Sequence, residues 1–381
     1  MDHAVSKGMW SPDTGFDWPR RVRGGLRIAQ VAPLYESVPP KLYGGTERVV
    51  SYLTEELVSM GHDVTLFASG DSRTRARLVP GSPRALRLDG SCADPLARHI
   101  VHLEHVFERA PNFDVIHLHT DYLHYPFARR TGTPSLTTLH GRLDLPDLVP
   151  VYREYEEMPL SSISDSQRAP LPHANWQGTV HHGLPRDLLP FAPGDGGYLA
   201  FLGRISPEKR VDRAIEIARR AGWPLRIAAK VDRADTDYFD REIRRLLLQP
   251  HVEFLGEITE HEKPDFIGGA AALLFPIDWP EPFGLVMIEA MSCGTPVLAF
   301  RAGSVEEIVE DGVNGWIVDT IHDAVRAVEN LDRIDRTVCR QRFEQRFTSR
   351  RMALDYLKLY RRVAESRESG GDSRQAEGAT S

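Results

Sequence analysis

The feature that most limits how this chain can fold is an apolar run that leads through a loop into a helix. Ala271 to Ile277 predicts a buried strand. Leu285 to Met291 predicts a helix that ends at Cys293-Gly294, because glycine commonly follows the last helical turn. Glu281 therefore lies in the loop, and Glu289 lies more than one turn inside the helix. Such a unit brings two carboxylates to either side of a helix start.

The start of this helix is a candidate anion site. The backbone N–H groups of Phe283, Gly284 and Leu285 would open the helix, where the first amides have no carbonyl partner within it. A loop of this kind can hold a phosphate at the helix start, with Glu281 on one side of it and Glu289 on the other.

The rest of the chain alternates apolar runs with helical segments, in two series. A segment rich in proline and glycine, Pro185 to Gly197, separates them. Two βα series of similar size predict an α/β fold of two doubly wound, Rossmann-like domains that face a central cleft. The predicted strands are Leu26–Ala32, Val64–Ala68, Val115–Leu118, Ser135–Leu139 and Thr179–His182, then Leu199–Phe201, Leu225–Ala229, Val252–Leu255, Ala271–Phe275, Val297–Phe300 and Trp316–Val318.

Composition narrows the function classes. The 381 residues carry a net charge of −7, which argues against a nucleic-acid partner because phosphate binding needs a basic face. The apolar runs are shorter than the roughly 18 residues of a membrane span, and the polar segment 1–25 lacks the apolar core of a signal peptide. Cys92, Cys293 and Cys339 are scattered, which suggests neither a disulfide framework nor a metal cluster. We therefore expect a cytoplasmic protein.

Two further loops carry residues suited to a phosphate-bearing ligand. Gly44 and Gly45 precede a helix, where glycine lets backbone amides approach a ligand closely. Their spacing is not the Gly-x-Gly-x-x-Gly of a dinucleotide site. Arg204 at a strand end and Lys209 near a helix start could bind a diphosphate without a metal. Ordinary ion pairing is the alternative for these two cations.

The Glu-x7-Glu segment 281–289 and the Gly-Arg…Glu-Lys motif 203–209 resemble the retaining glycosyltransferases of family 4 (group 1), which have the GT-B fold. The resemblance extends from about Leu26 to Phe347. In residues 41–74 and 140–166 the sequence is similar to the avilamycin-type branch of the family. The predicted division is an N-terminal extension 1–25, an acceptor-side domain 26–185, a linker 186–197, a nucleotide-sugar-binding domain 198–347, a C-terminal helix 348–365 and a disordered tail 366–381.

The resemblance implies roles for individual residues. Glu289 would bind the ribose hydroxyls of the nucleotide, and Glu281 would contact hydroxyls of the transferred sugar. His140, at a strand end, would touch this sugar near the reacting carbon, so Glu281 and His140 are the catalytic candidates. The donor-binding candidates are Gly44, Gly45, Arg204, Lys209, Lys230, Ile258, Phe283, Gly284, Leu285 and Glu289. Lys230 stands where many relatives have a glycine-rich turn.

A second polar cluster superficially resembles a metal site. His117 and His119 share one face of a strand, and Asp121 and His124 follow. No cysteine or third well-spaced ligand supports zinc, so we interpret the cluster as a polar acceptor pocket. We expect no metal and no cofactor.

The C-terminal segment Asp335 to Glu365 predicts a strongly basic helix. Contact with a membrane surface is one interpretation. A solvated helix face is favoured, because acidic residues interrupt the basic run.

The implied reaction moves a sugar from a UDP- or GDP-type nucleotide sugar to an acceptor hydroxyl of a saccharide or small natural product. It keeps the anomeric configuration and needs no metal. Arg204, Lys209 and helix N–H groups would stabilise the charge of the leaving diphosphate. A glycosyl phosphorylase and a nucleotide-sugar binding protein on the same fold are the alternatives.

Overall fold

The computed structural model describes residues 24–41, 44–192, 194 and 196–377, with side chains of the last helix described through residue 366. Two parallel sheets organise these residues, one of seven strands and one of six. The α/β class and the two doubly wound units predicted from the sequence are confirmed. The predicted extension 1–25 lies outside the described residues except for Gly24 and Gly25.

The first sheet has the strand order β3-β2-β1-β4-β5-β6-β7. Helices α1 and α13 cover one face, where Leu53 and Tyr360 pack on Ile28. Helix α2 covers the other face, where Leu103 packs on Val31. The elements are β1 (Arg27–Val31), α1 (Gly45–Ser59), β2 (Asp63–Ser69), β3 (Arg77–Ser82), α2 (Pro95–Glu108), β4 (Val115–Leu118), α3 (Tyr125–Ala128), β5 (Ser135–Thr138), α4 (Leu148–Glu154), β6 (Leu160–Ser162), α5 (Asp165–Arg168), β7 (Trp176–Thr179) and, from the chain end, α13 (Ser349–Glu377).

The second sheet has the strand order β10-β9-β8-β11-β12-β13. Helix α9 covers one face through Met287 and Ile288, and α6 and α11 cover the other through Ile215 and Ala324. The elements are β8 (Leu199–Arg204), α6 (Val211–Ala221), β9 (Leu225–Lys230), α7 (Thr236–Tyr238), β10 (Val252–Gly256), α8 (Lys263–Gly268), β11 (Ala272–Phe275), α9 (Leu285–Cys293), β12 (Val297–Phe300), α10 (Val305–Ile308), β13 (Gly315–Val318), α11 (Ile321–Val328) and α12 (Arg336–Arg346).

The winding of both sheets reverses beside their first strands. β1 lies between β2 and β4, and β8 lies between β9 and β11. Neighbouring connections leave such a point toward opposite faces, which opens a crevice beyond the carboxyl ends of the strands. Pro33 and His119, which follow β1 and β4, line the same cleft as Arg204 and Ile277 from the ends of β8 and β11. The topology therefore sets the two reversal points against each other.

Three strand predictions need correction. The last strand of the first domain is β7, so the predicted strand Thr179–His182 was wrong by three residues and overlaps it only at Thr179. β3 and β6 were not predicted. β7 is half-buried throughout and β6 has three residues, so neither presents the apolar run on which the prediction relied.

The basic C-terminal segment forms two helices rather than one. α12 ends at Arg346 and α13 begins at Ser349, and α13 returns to pack against the first domain on α1, β5 and β7. α13 continues to Glu377, where disorder was predicted from residue 366, and residues 378–381 lie outside the described part. No described helix is long and apolar enough to cross a membrane.

The solvated face predicted for the basic segment is wrong for several of its arginines. Arg336 donates to the carbonyls of Gly268 and Ala270 at 2.6 and 2.7 Å. Arg351 donates to the carbonyls of His181 and His182 at 2.7 and 2.8 Å. These guanidinium groups satisfy loop carbonyls and hold the two helices in place.

Candidate functional site

A cleft with a volume of about 1080 Å³ lies between the two domains. Its described lining contains as many basic as acidic side chains, seven of each. A bound anion would therefore have to displace carboxylates from their ion pairs with the basic side chains. The charged residues are Lys41, Arg48, Arg87, Arg204, Lys209, Lys230 and Lys263, with Glu47, Asp121, Glu208, Glu257, Glu260, Glu281 and Glu289.

Helix α9 begins and ends as the sequence predicts. Gly284 precedes it with φ of 80°, and Gly294 follows it with φ of 79°, a left-handed conformation that glycine adopts without steric cost. A Cβ atom at Gly284 would lie within 2.9 Å of the Phe275 ring and the Met287 side chain. Phe283, Gly284 and Leu285 all line the cleft, so the helix start opens toward it.

The loop that carries Glu281 is held from the segment after β12. Ser304 donates its backbone N–H to the Glu281 carbonyl at 3.0 Å and its hydroxyl to the Phe283 carbonyl at 2.8 Å. Gly303 packs so closely that a Cβ atom there would lie 2.4 Å from both the nitrogen and the oxygen of Glu281. The backbone of the catalytic candidate is thus fixed by a second loop.

The Glu281 carboxylate and Lys209 meet in the structure. Glu281 Oε2 accepts a hydrogen bond from Trp279 Nε1 at 2.8 Å and forms an ion pair with Lys209 Nζ. The side chains of Lys209 and Glu281 are 17% and 12% exposed. Trp279 was not predicted, although it stands two residues before Glu281 in the same loop.

Glu289 lies in a chain of ion pairs that crosses the cleft. Its Oε1 is 2.8 Å from Lys263 Nζ, which is also 2.6 Å from Glu260 Oε1. Glu260 in turn pairs with Arg48 on α1 of the first domain. Arg48, Glu260 and Lys263 were not predicted, because their spacing belongs to no motif and their contacts depend on how the domains pack.

Arg204 is surrounded by carboxylates. Its guanidinium lies 2.5 Å from Glu208, 3.5 Å from Asp235 and 3.6 Å from Asp232. Asp232 also pairs with Lys230 at 3.0 Å. Ion pairing, the alternative that the sequence left open, therefore describes Arg204 in this structure, and Arg204 also lines the cleft.

The helix start predicted near Lys209 lies two residues later, at Val211. Pro207–Lys209 forms a single 3₁₀ turn. Arg210 follows with φ of 52°, and α6 starts at Val211. The left-handed residue redirects the chain, so Lys209 projects from a turn between strand and helix rather than from the helix itself.

The glycine loop of the first domain faces α9. A Cβ atom at Gly45, the first residue of α1, would lie 3.7 Å from Leu285 Cδ1. A Cβ atom at Gly44 would meet Pro40 at 2.8 Å. Residues 42 and 43 lie outside the described part of the chain. Ile258, the remaining donor candidate, lines the cleft and packs against the core of the second domain.

His140 lies at the mouth of a buried polar network. Its Nε2 is 2.8 Å from His119 Nδ1, and its ring stacks on His182 with a centroid distance of 5.3 Å. The His182 ring is 4.8 Å from the ring of Phe283. Burial lowers the pKa of His140 to about 3, so its imidazole is neutral at physiological pH. His182 was predicted only as the last residue of a strand, yet its ring links His140 to Phe283 before the start of α9.

The cluster interpreted as an acceptor pocket divides into two parts. His119 and Asp121 line the cleft. His117 and His124 are buried and hydrogen-bond Thr138 and Thr137 at 2.7 and 2.8 Å. Among residues 24–41, 44–192, 194 and 196–377, no group of three or more histidine, cysteine or acidic side chains is placed to hold a metal ion.

Asp121 has an unusual backbone for a residue with a side chain. Its φ is 49°, a left-handed conformation that costs energy but that aspartate tolerates better than most residues. The Asp121 side chain is partly open to solvent, but desolvation by the protein around it raises its pKa to about 6. Strained residues of this kind concentrate at functional sites.

Comparison with known proteins identifies the two domains separately. The family model "Glycosyltransferase Family 4" matches residues 43–176, and the model "Glycosyl transferases group 1" matches residues 190–341. Together they cover most of the chain, and each falls on one of the two sheets.

Relatives and solved structures agree with these models. The D-inositol 3-phosphate glycosyltransferase of Frankia alni is 26% identical over 354 residues, which cover 76% of this chain and 86% of that protein. AviGT4, a glycosyltransferase involved in avilamycin A biosynthesis, superposes with a TM-score of 0.69 at 25% identity and covers 89% of this chain and 98% of its own. HepE of Anabaena, solved in complex with UDP and glucose, has the same fold with a TM-score of 0.65 at 19% identity, covering 90% of this chain and all of HepE.

The predicted resemblance, the GT-B fold and the transferase class are therefore confirmed. With a family 4 model on its first domain, a group 1 model on its second and a GT-B structure spanning both, this chain belongs to the family 4 (group 1) glycosyltransferases.

Proposed function

We propose that this glycosyltransferase moves a sugar from a UDP- or GDP-type nucleotide sugar to an acceptor hydroxyl, retains the anomeric configuration and uses no metal ion. Donor chemistry of this kind is suggested by HepE, whose structure contains UDP and glucose. The acceptor is a hydroxyl compound of the saccharide or small natural product class. D-inositol 3-phosphate, named for the Frankia relative, is one acceptor to try.

The observation that carries the proposal is the position of Lys209 and Glu281 beside the start of α9. The N–H groups of Phe283, Gly284 and Leu285 have no backbone carbonyl partner among the described residues. Helix starts attract phosphate because their first N–H groups are unsatisfied and the helix dipole is positive there. The donor diphosphate would lie at this helix start, with Lys209 turning from Glu281 to a phosphate oxygen.

Glu289 is suited to bind the ribose. Its carboxylate lies in the cleft wall one turn inside the same helix that would bind the diphosphate. A buried carboxylate can accept hydrogen bonds from two neighbouring hydroxyls. Lys263, which is 2.8 Å from Glu289, would compensate its charge and orient it.

The chemical step needs no protein nucleophile. The bond between the anomeric carbon and the diphosphate oxygen breaks, the acceptor oxygen bonds to that carbon on the same face, and the acceptor proton passes to the departing diphosphate. Lys209, Arg204 and the helix N–H groups would stabilise the diphosphate as its charge grows. Glu281 and neutral His140 would hold the transferred sugar, and the walls of the cleft would exclude water.

The acceptor would approach from the first domain. Asp121 lines the cleft there, and among the described residues its carboxylate has no hydrogen-bond or ion-pair partner. A carboxylate in this position can accept the hydrogen bond of an acceptor hydroxyl and orient it toward the sugar. Tyr35 and Tyr122, both exposed in the cleft, offer ring faces for a sugar or similar ring.

The donor site is tested by thermal shift against UDP, GDP, ADP and dTDP, each alone and as a sugar nucleotide. Binding to the folded state raises the melting temperature. We expect a shift with UDP or GDP that Lys209→Ala and Glu289→Gln reduce. Arg219→Ala is the matched control, because Arg219 pairs with Glu216 on an exposed helix face away from the cleft.

Product analysis then tests the reaction. With the donor that binds, NMR of the product should show the same anomeric configuration as in the donor. The transfer rate should not fall when EDTA is added. Turnover that requires inorganic phosphate in place of an acceptor would instead identify a glycosyl phosphorylase. An inverted product or a rate abolished by EDTA and restored by a divalent ion would contradict the proposal.

A further inference from the structure

A continuous chain of hydrogen bonds runs from the cleft to the C-terminal helix. It begins at His140, whose Nε2 is 2.8 Å from His119 Nδ1, and continues from His119 Nε2 to Gln30 Oε1 at 3.0 Å. Gln30 Nε2 donates to the Tyr360 hydroxyl at 2.9 Å. Tyr360 lies on α13 and is 330 positions from Gln30. The last helix is therefore connected, through buried Gln30 of β1 and then His119, to the cleft.

The chain continues beyond Tyr360 along a second branch. The Tyr360 hydroxyl is 2.7 Å from His117 Nδ1, and His117 Nε2 is 2.7 Å from Thr138 Oγ1. The Thr138 hydroxyl donates to Tyr356 at 3.0 Å. All members of this branch are buried, and in a low-dielectric interior each such group needs its partner.

The side-chain amide of Gln30 sets the direction of every bond toward the cleft. Its carbonyl oxygen can only accept, so His119 carries its proton on Nε2. The Nδ1 of neutral His119 must then accept, and His140 donates to it from Nε2. The lone pair of His140 is consequently on Nδ1. The amide group of Gln30 donates to Tyr360, whose own O–H is left to donate to His117.

The histidines in the chain remain neutral, which the argument requires. Burial lowers the pKa of His117 and His119 well below the usual range and the pKa of His140 to about 3. A neutral imidazole has one donor and one acceptor nitrogen. One fixed end is therefore enough to order all three rings.

We propose that Tyr360 is a positioning residue which, through Gln30 and His119, holds His140 in the tautomer with its proton on Nε2 and its lone pair on Nδ1. This role of Tyr360 rests on the proposed function only in that His140 lies next to the transferred sugar. The helix that ends the described chain thereby takes part in organising the active site of the first domain. Without the Tyr360 hydroxyl, the Gln30 amide loses its acceptor and can rotate, which would reverse the donor and acceptor roles along the chain.

The test compares two tyrosines on the same helix. Tyr360→Phe removes the hydroxyl that orients Gln30, whereas Tyr356→Phe removes a buried hydroxyl beyond Thr138 on the branch that does not lead to His140. Both variants lose one buried hydroxyl, so a loss of stability alone would affect them alike. We expect kcat to fall about tenfold in Tyr360→Phe, the factor corresponding to one hydrogen bond of ordinary net strength. The KM for the donor should change little, and Tyr356→Phe should retain kcat.

A second measurement does not depend on activity. Nitrogen NMR of protein labelled in histidine distinguishes protonated from bare ring nitrogens, and His119→Asn and His140→Asn assign the signals. In the unmodified protein His140 should be protonated on Nε2, and Tyr360→Phe should give a mixture of tautomers that Tyr356→Phe does not. A His140 protonated on Nδ1, or an unchanged tautomer in Tyr360→Phe, would overturn the inference. If no donor supports transfer at all, the proposed function fails, and this spectrum still decides the inference.

Discussion

Replacing Lys263 with methionine should expose how much the second domain depends on one buried cation. Lys263 and Glu289 are 11% and 5% exposed, and their charged atoms lie 2.8 Å apart. Methionine keeps the length and apolar stem of lysine but leaves Glu289 without the cation. Removing one partner of a buried pair costs about 3–5 kcal/mol.

The lower end of that range applies here, because Glu260 keeps Arg48 as its partner after the substitution. A loss of about 3 kcal/mol in a domain of roughly 150 residues lowers Tm by about 6–12 °C. The double variant Lys263→Met/Glu289→Gln should recover more than half of this loss, since a neutral amide needs no counter-charge.

Differential scanning calorimetry of the two single variants and the double variant completes a double-mutant cycle. Lys358→Met is the matched surface control, because Lys358 pairs with Asp355 at 2.8 Å but is 71% exposed, and such pairs contribute about 0–1 kcal/mol. A Tm for Lys263→Met within about 2 °C of the control, or a double variant that loses the sum of both single effects, would refute the reasoning.

Three further results are expected. Gly303→Ala should lower the transfer rate at least about tenfold, because its Cβ atom would lie 2.4 Å from the Glu281 backbone. Gly312→Ala is the control, since Gly312 has a φ of 73° but its nearest contact would be at 3.7 Å, and it should keep the rate. Equal rates in the two variants would contradict the role of Gly303 in holding Glu281. The KM for the acceptor substrate should fall as pH rises through about 6, because Asp121 ionises there and then accepts a stronger hydrogen bond from the substrate hydroxyl. A pH profile that is unchanged in Asp121→Asn would argue against this hydrogen bond. Burial depresses the pKa of six histidines well below the value of about 6.5 that they have when unfolded, so the unfolded state takes up protons first and Tm should drop from pH 7.5 to 5.5; a Tm that rises over this interval would contradict it. These residues are His102, His117, His119, His124, His140 and His182.

Three strands of the first sheet are poorly marked in the sequence. The short strands β3 and β6 were missed, and β7 was predicted three residues too late. An edge strand that is half-buried carries little of the apolar pattern from which strands are recognised. The fold class was nevertheless predicted correctly, because the central strands β1, β4, β8 and β11 are short, largely buried apolar runs, which are typical of parallel sheets.

Short local signals in the sequence specify the helix and the loop that form the frame of the site. Gly284 and Gly294 mark the two ends of α9, because few other residues adopt the left-handed backbone conformation found at both positions. Once these ends are known, Glu281 is placed in the loop and Glu289 in the helix. Such signals lie within a few neighbouring residues, so they can be read without knowing what else is near.

The groups that share the site with those glutamates depend instead on how distant parts of the chain pack together. Lys263 reaches Glu289 from another helix, and Tyr360 reaches Gln30 from the other end of the chain. These contacts have no sequence spacing to identify them, because they form where the return of α13 and the packing of two domains bring distant side chains within hydrogen-bond distance.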